Sequence, residues 1–74
     1  MMTTGVYLDG DKLKFLRVIN NHTHRSLAEK SGVSTGTIWA LESNVRNERF
    51  HPSTLHKLAT ALEVEPTELL GEED

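Results

Sequence analysis

Four histidines and two neighbouring aspartates are the residues whose types and spacing could support metal or acid–base chemistry. His22 and His24 form a His-x-His pair, which can bring two metal ligands together. The chain has no cysteine and the pair has no evident acidic partner, so we predict no bound metal. Asp9 and Asp11 flank Gly10 at the expected start of a helix, where carboxylates act as caps. No nucleophile–base pair or phosphate-binding loop can be assembled, so the sequence predicts neither catalysis nor a cofactor.

Length and composition fit one small domain. The chain has 74 residues, of which 36% are hydrophobic and 26% charged, enough for a single core. Its longest uninterrupted apolar stretch, Ile38–Leu41, is far shorter than the roughly 20 residues that cross a bilayer. The N-terminus lacks the pattern of a signal peptide. We therefore expect a cytoplasmic protein with no membrane association.

Charge is unevenly distributed along the chain. The net charge is −3, but residues 1–62 carry all eight Lys and Arg residues and only five of the acidic ones. Residues 63–74 carry six acidic residues and no Lys or Arg. A basic domain with an acidic end is compatible with a polyanionic partner if the acidic end faces away from that partner.

Capping residues predict three helices in the first half of the chain. Residues 1–9 lack a helical period and are expected to form an extended arm, after which Asp9 caps a helix over about 10–20. Leu13, Leu16 and Ile19 are expected on its inner face, and Asn21 can end it in the left-handed region. Thr23 and Gly32 bound a second helix over 24–31, and Ser34 caps a third over 35–43.

Two further helices are predicted in the second half. After a polar loop, Ser53 is expected to cap a helix whose inward stripe is Leu55, Leu58, Ala59 and Leu62. Pro66 suits the first turn of a short fifth helix that Gly71 would stop. The predicted organisation is an arm over 1–9, a compact all-α domain over 10–71 and an acidic tail over 72–74.

The second and third helices together form a helix-turn-helix pattern. Ala28 allows a close helix crossing, Gly32 permits the sharp turn, and Val33, Ile38 and Leu41 are spaced to pack inward. The helical period turns the other side of the third helix outward. Because that side is small and neutral, it suits entry into a DNA major groove. Its members are Gly36, Trp39, Ala40 and Ser43, with Thr35 at the edge.

These residues resemble the lambda-repressor-like, XRE-type (Cro/repressor) helix-turn-helix family. The turn Ala28-x-x-x-Gly32, the recognition helix Ile38-x-x-Leu41-Glu42 and the later Thr54-Leu55-x-Lys57-Leu58-Ala59 carry the resemblance. It covers about residues 10–71. The resemblance implies five helices and sequence-specific binding of double-stranded DNA, commonly by a homodimer on a palindrome.

The family's DNA contacts can be carried over to matching positions of this chain. The resemblance implies base contacts from the third helix and backbone contacts from the start of the second helix and from the loop after the third. The base-contacting candidates are Thr35, Gly36, Thr37, Trp39 and Ser43. The backbone-contacting candidates are His24, Arg25, Ser34, Asn44, Arg46 and Arg49.

The chain departs from the family pattern at three points. The loop after the third helix is longer than the family's usual connection, so no pose is predicted for residues 45–51. Gly36 lowers helix propensity by ~1 kcal/mol relative to Ala inside the recognition helix. No Gln, Asn or Arg occurs from Thr35 to Ala40, so those positions provide no bidentate contact to a base.

Several residues have two readings on sequence alone. Trp39 either contacts a thymine methyl or deoxyribose, or is covered by the arm around Tyr7 or by a protein interface. Val64, Leu69 and Leu70 either form a dimer surface, or Leu69 closes the core and leaves Leu70 exposed. For Glu42, on the inward face, the resemblance implies a structural salt bridge, here with Arg17.

The sequence thus predicts a DNA-binding transcriptional regulator, interpreted as a repressor that occupies an operator in the cytoplasm and associates with the nucleoid when bound. The alternative is an antitoxin or antirepressor that uses the same fold to hold a partner protein, with the acidic tail as docking segment. A homodimer and a regulatory protein partner are compatible with both.

Overall fold

The computed structural model describes residues 6–72 and contains, over that range, four α-helices, one 3-10 turn and three short strands. Residues 1–5 of the expected arm and residues 73–74 of the expected acidic tail lie outside the described residues. In chain order the elements are β1 (Val6–Asp9), α1 (Gly10–Ile19), α2 (His24–Ser31), α3 (Thr35–Ser43), β2 (Arg46–Asn47), α4 (Pro52–Leu62), the 3-10 turn (Pro66–Leu69) and β3 (Leu70–Glu72).

The first three helices begin and end where local capping chemistry places them. The Asp9 carboxylate accepts hydrogen bonds from the backbone N–H groups of Asp11 and Lys12 at 2.9 and 3.2 Å, so α1 begins directly after it. Asn21, just after α1, has a φ of 60°. Thr23 and Ser26 form a reciprocal capping box at the start of α2. These contacts are local in sequence, which is why the sequence could predict them.

The linker between α2 and α3 also has the expected geometry. Gly32 ends α2 with a φ of 82°, in the left-handed region that glycine enters without a steric penalty. The Ser34 hydroxyl then accepts from the Thr37 N–H at 3.2 Å and caps α3. Thus α2 and α3 are joined through a short, locally determined turn.

The expected helical class of the fold is broadly confirmed, but the expectation of five helices is wrong and a small sheet was not predicted. The segment expected as a fifth helix is a single 3-10 turn, after which Leu70–Glu72 continue as a strand. The strands form an antiparallel sheet of order β2-β1-β3, in which Leu8 lies opposite both Asn47 and Leu70. The fold is therefore a mostly helical helix-turn-helix domain with a small sheet, and the described part of the expected arm is the sheet's central strand.

The start of α4 also differs from the prediction. Ser53 was expected as the cap, but α4 begins at Pro52 and its N-cap residue is His51, which makes no side-chain capping bond. Proline is favoured at the first helical position because the N–H it lacks would have no intrahelical partner there.

One apolar core lies beneath the helices and the sheet. Leu8, Leu27, Ile38, Leu58 and Leu69 are among the side chains with no exposed area. The full helix-four stripe is buried as predicted: Leu55, Leu58, Ala59 and Leu62. None of the helices within residues 6–72 is long and apolar enough to span a bilayer.

The burial of the apolar residues corrects one prediction and decides between two interpretations. Ile19 was expected on the inner face of α1 but is 54% exposed, because Arg17 takes the buried position near the end of that helix. Leu69 is fully buried and closes the core, so it cannot form a dimer surface. Leu70 and Val64 are half-buried against the core.

Candidate nucleic-acid interface

The two faces of α3 have opposite environments. Ile38 and Leu41 are buried in the core, whereas the five residues expected to contact bases are all exposed. These are Thr35, Gly36, Thr37, Trp39 and Ser43. The helix is therefore amphipathic, and its exposed side carries small polar groups and one large aromatic side chain.

Hydrogen bonds within α3 orient several of its polar side chains. The Ser34 hydroxyl donates to Thr37 Oγ1 at 2.9 Å, and the Ser43 hydroxyl donates to the Trp39 carbonyl at 2.8 Å. Ser34 and Ser43 therefore have acceptor lone pairs left for a ligand, whereas Thr37 keeps its hydroxyl proton to donate.

A buried ion pair fixes α3 against α1. Arg17 Nε donates to Glu42 Oε2 at 2.6 Å and Nη2 donates to Oε1 at 3.0 Å, with side chains only 9% and 6% exposed. Arg17 Nη1 also donates to the His22 carbonyl at 2.9 Å, just before α2. The salt bridge expected between Glu42 and Arg17 is confirmed, and it links the starting point of α2 with the recognition helix.

The two histidines of the His-x-His pair have separate partners. His22 Nδ1 lies 2.8 Å from Ser26 Oγ, while His24 Nε2 donates to Glu42 Oε1 at 3.0 Å. No group of three potential ligands that could hold a metal ion occurs among the described residues. His24 is half-buried and has Glu42 as an acidic partner, so the expectation that the pair has no such partner is wrong for His24.

Trp39 and His24 are in direct contact. Their ring centroids are 5.3 Å apart and their planes differ by 20°, an offset-stacked arrangement. Trp39 is nevertheless 60% exposed, and Tyr7, which could have covered it, instead lies beneath Arg46. Both rings line a cleft of about 230 Å³ between α1 and α3, together with Lys14, Arg17, Glu42 and Ser43.

The loop after α3 is tied down by Asn47, a residue that no sequence pattern singled out. Its side-chain amide donates to the backbone carbonyls of Leu8, Leu41 and Asn44 at 3.1, 2.8 and 2.9 Å. One amide group thus joins β1, α3 and the loop. No local signal indicates this role, because two of the three acceptors are remote in sequence or belong to another element.

Gly10 explains how closely α1 approaches the end of α3. A Cβ atom at this position would collide with the carbonyl oxygens of Leu41 and Asn44. The Gly10 N–H donates to the Val45 carbonyl at 3.2 Å. Glycine is therefore required for the close packing that places the loop.

The arginines expected to contact the DNA backbone are exposed, and two of them lie near other side chains. Arg46 lies 4.6 Å above the Tyr7 ring and 3.7 Å from Glu48, so the sheet and the loop both restrain it. Arg25 is exposed at the start of α2 with its Nε atom 3.6 Å from Glu29 Oε2. Arg49 and Asn44 are exposed in the loop itself. The backbones of β2, which contains Arg46, and β3 lie on opposite sides of β1 in the sheet.

Solved structures with the same fold include two regulators. The restriction-modification controller protein C.AhdI from Aeromonas hydrophila is 34% identical, with 81% of this chain and 88% of that chain covered and a TM-score of 0.70. SinR, the master regulator for biofilm formation, solved in complex with DNA, is 27% identical, with 81% and 94% covered and a TM-score of 0.74.

A third similar structure is an enzyme, Streptomyces albus HEPD with 2-hydroxyethylphosphonate and Fe(II) bound. It is 26% identical and has a TM-score of 0.74, but this chain covers only 18% of it. The likeness therefore concerns one small part of that protein. No curated protein is significantly similar in sequence to this chain.

The family model for the Cro/C1-type helix-turn-helix DNA-binding domain matches residues 12–74. That match spans the helix-turn-helix, the loop and α4 as the structure arranges them. The chain belongs to the Cro/C1-type (XRE-type) helix-turn-helix family, and it is a DNA-binding transcription regulator rather than an enzyme.

Proposed function

We propose that this protein is a sequence-specific repressor that inserts α3 into the major groove of double-stranded DNA. The observation that carries the proposal is the division of α3 into a buried side, with Ile38 and Leu41, and an exposed side. A major groove admits one α-helix, and small polar side chains on its outer face can approach base edges closely.

The proposed contacts fall into two groups. Base edges are read by Thr35, Gly36, Thr37, Trp39 and Ser43. The DNA backbone is held by His24, Arg25, Ser34, Asn44, Arg46 and Arg49. Support for this division comes from position, because the first group lies on the exposed side of α3. The second group precedes or follows that helix in the chain, at the start of α2, at the N-cap of α3 and after its end. Phosphate contacts supply affinity without sequence information, whereas base contacts supply specificity.

A homodimer on a two-fold symmetric operator is part of the proposal, as the resemblance implies. Two recognition helices on one side of the duplex double the length of sequence that is read. Occupation of the operator would itself block transcription, with no catalysis or cofactor required.

The proposal is tested by binding to a selected duplex and to random duplex over a salt series. Arg46→Gln or Arg49→Gln should weaken binding to both duplexes and lower the salt slope by about 0.9 for each phosphate that is no longer neutralised. Thr35→Ala or Trp39→Ala should instead reduce discrimination by about 1–3 kcal/mol and leave the slope nearly unchanged. Lys57→Gln on α4, which removes the same charge away from α3, is the matched control for the arginines. If Thr35→Ala and Trp39→Ala both keep full discrimination, neither side chain reads a base and the assignment of the base contacts is wrong.

A second candidate function, a module that holds a partner protein as an antitoxin or antirepressor does, is favoured by one observation. Phe15, Val18 and Ile19 on α1 are 62%, 53% and 54% exposed, an apolar group on one side of the helix. The two functions separate without any partner. A DNA-binding regulator binds random duplex DNA with an affinity that falls strongly as the salt concentration rises. A module that binds only protein does not bind random duplex.

A further inference from the structure

We infer that His24 determines DNA specificity indirectly, as a positioning residue that holds the Trp39 ring in the orientation needed to meet the bases. The inference rests on the proposed function, because it assumes that Trp39 enters the groove. It gives His24 a second role, in addition to the contact with the DNA backbone proposed above.

Trp39 alone is poorly suited to reading a groove. The Trp39 side chain is 60% exposed on the surface of α3. An exposed side chain of this kind populates several rotamers when no DNA is bound. Fixing such a side chain on binding costs conformational entropy, and that cost reduces the gain from the contact. A neighbour that restricts the ring beforehand removes part of this cost.

His24 supplies that restriction through a stacked contact. The two ring centroids are 5.3 Å apart with planes 20° from parallel, so the imidazole stacks on the indole, which is still 60% exposed. His24 is the first residue of α2, and the start of that helix is held by the capping box of Thr23 and Ser26. The backbone beneath the imidazole is therefore anchored independently of Trp39.

The imidazole is also fixed at its edge. Its Nε2 lies 3.0 Å from Glu42 Oε1, and since a carboxylate only accepts, Nε2 carries the proton and donates it. Glu42 is 6% exposed and is gripped by two bonds from Arg17. A continuous series of contacts thus runs from the buried ion pair through His24 to the surface of Trp39.

This arrangement predicts which replacements of His24 keep the orientation of the Trp39 ring. What Trp39 requires from position 24 is a flat ring to stack on, so an aromatic replacement should preserve its orientation and an aliphatic one should not. A phosphate contact or a purely structural role would give a different pattern, because phenylalanine cannot donate a hydrogen bond to either partner.

The experiment uses the full chain and its single tryptophan. Time-resolved fluorescence anisotropy of free protein reports the local motion of Trp39, and binding to the selected and random duplexes gives the specificity ratio. We expect His24→Ala to increase the fast motion of the indole and to lower the specificity ratio roughly tenfold. His24→Phe keeps a ring to stack on but loses the bond to Glu42, so it should restore most of both. His56→Ala, the same change at an exposed histidine of α4, should alter neither.

A double-mutant cycle completes the test. In the Trp39→Ala background, His24→Ala should cause no further drop in specificity, because the two residues act as one unit. The inference is overturned if His24→Ala leaves indole motion and specificity unchanged, if His24→Phe fails to rescue a variant that is fully folded, or if the effects of the two substitutions add. Wild-type protein that does not discriminate the duplexes at all would instead refute the proposed function, and the inference with it.

Discussion

Arg17 on α1 and Glu42 on α3 are joined by two parallel hydrogen bonds, 2.6 Å between Nε and Oε2 and 3.0 Å between Nη2 and Oε1. The planar guanidinium matches the carboxylate in this geometry, which a lysine could not reproduce. Because Glu42 also accepts from His24, this pair sets the position of the recognition helix relative to both α1 and α2.

Removing one partner of this pair should strongly destabilise the domain. Arg17→Met leaves the Glu42 carboxylate buried without its main partner, and we expect a decrease of about 3–5 kcal/mol in the free energy of urea unfolding. Arg25→Ala is the matched control, since its ion pair with Glu29 is exposed and should contribute less than about 1 kcal/mol. Equal effects of the two variants would show that the buried pair does not hold α3.

The packing of α4 is tested by shortening a buried leucine. Leu58 has no exposed area, so Leu58→Ala creates a cavity and should cost about 2–5 kcal/mol, measured as a drop in unfolding free energy. Ile19→Ala removes a comparable apolar group at a 54% exposed site and should cost far less. A melting temperature for Leu58→Ala close to that of wild type would mean that the orientation of α4 is wrong.

The sequence predicted elements whose signals are local. Thr23, Gly32 and Ser34 fix the ends of α2 and α3 through contacts within three or four residues, so both helices were predicted with the correct bounds. The sheet was missed because β1 pairs with Asn47 and Leu70, residues far along the chain, over strands too short to show an alternating pattern. Pairing of Tyr7 with Gly71 and Leu8 with Leu70 converts the end of the expected fifth helix into a strand.

The candidate site was predictable to a similar extent. Helical periodicity correctly placed Gly36, Trp39, Ala40 and Ser43 on the exposed side of α3. The contact between His24 and Trp39 was not predicted, because it depends on how α2 and α3 cross rather than on either helix alone. Asn47 was missed because two of its acceptors lie in β1 and α3, outside the loop that carries it.

Gly36 offers a variant in which stability and DNA binding should change in opposite directions. A Cβ atom there meets nothing within 4 Å, so Gly36→Ala should stabilise free protein by about 0.5–1 kcal/mol. The added methyl would occupy space at the proposed DNA surface and should weaken binding to the selected duplex. Thr60→Ala, an exposed substitution on α4 that also raises helix propensity, is the control and should leave binding unchanged. Gly36→Ala binding as tightly as wild type would place that turn outside the contact.

Asn47 should hold the loop through the hydrogen bonds that its side-chain amide donates, and a side chain of the same size without these donors should not replace it. Asn47→Asp keeps the size but turns a carboxylate toward three carbonyl oxygens, and we expect unfolding free energy to fall by about 1–3 kcal/mol or more. Amide hydrogen exchange over residues 44–51 should accelerate in the same variant. Asn20→Asp, at an exposed site with one local bond, should cost at most about 1 kcal/mol and leave the loop unaffected.

The central claim, that α3 reads a DNA sequence, is tested most directly by selecting bound duplexes from a random pool with wild-type protein. The account predicts an enriched motif, arranged as an inverted repeat with half-sites centred about 34 Å, or a multiple of that, apart. A single asymmetric motif bound by one copy of the chain would remove the dimer but keep the reading of bases by α3. A pool that stays random while the protein still binds duplex DNA would contradict the claim.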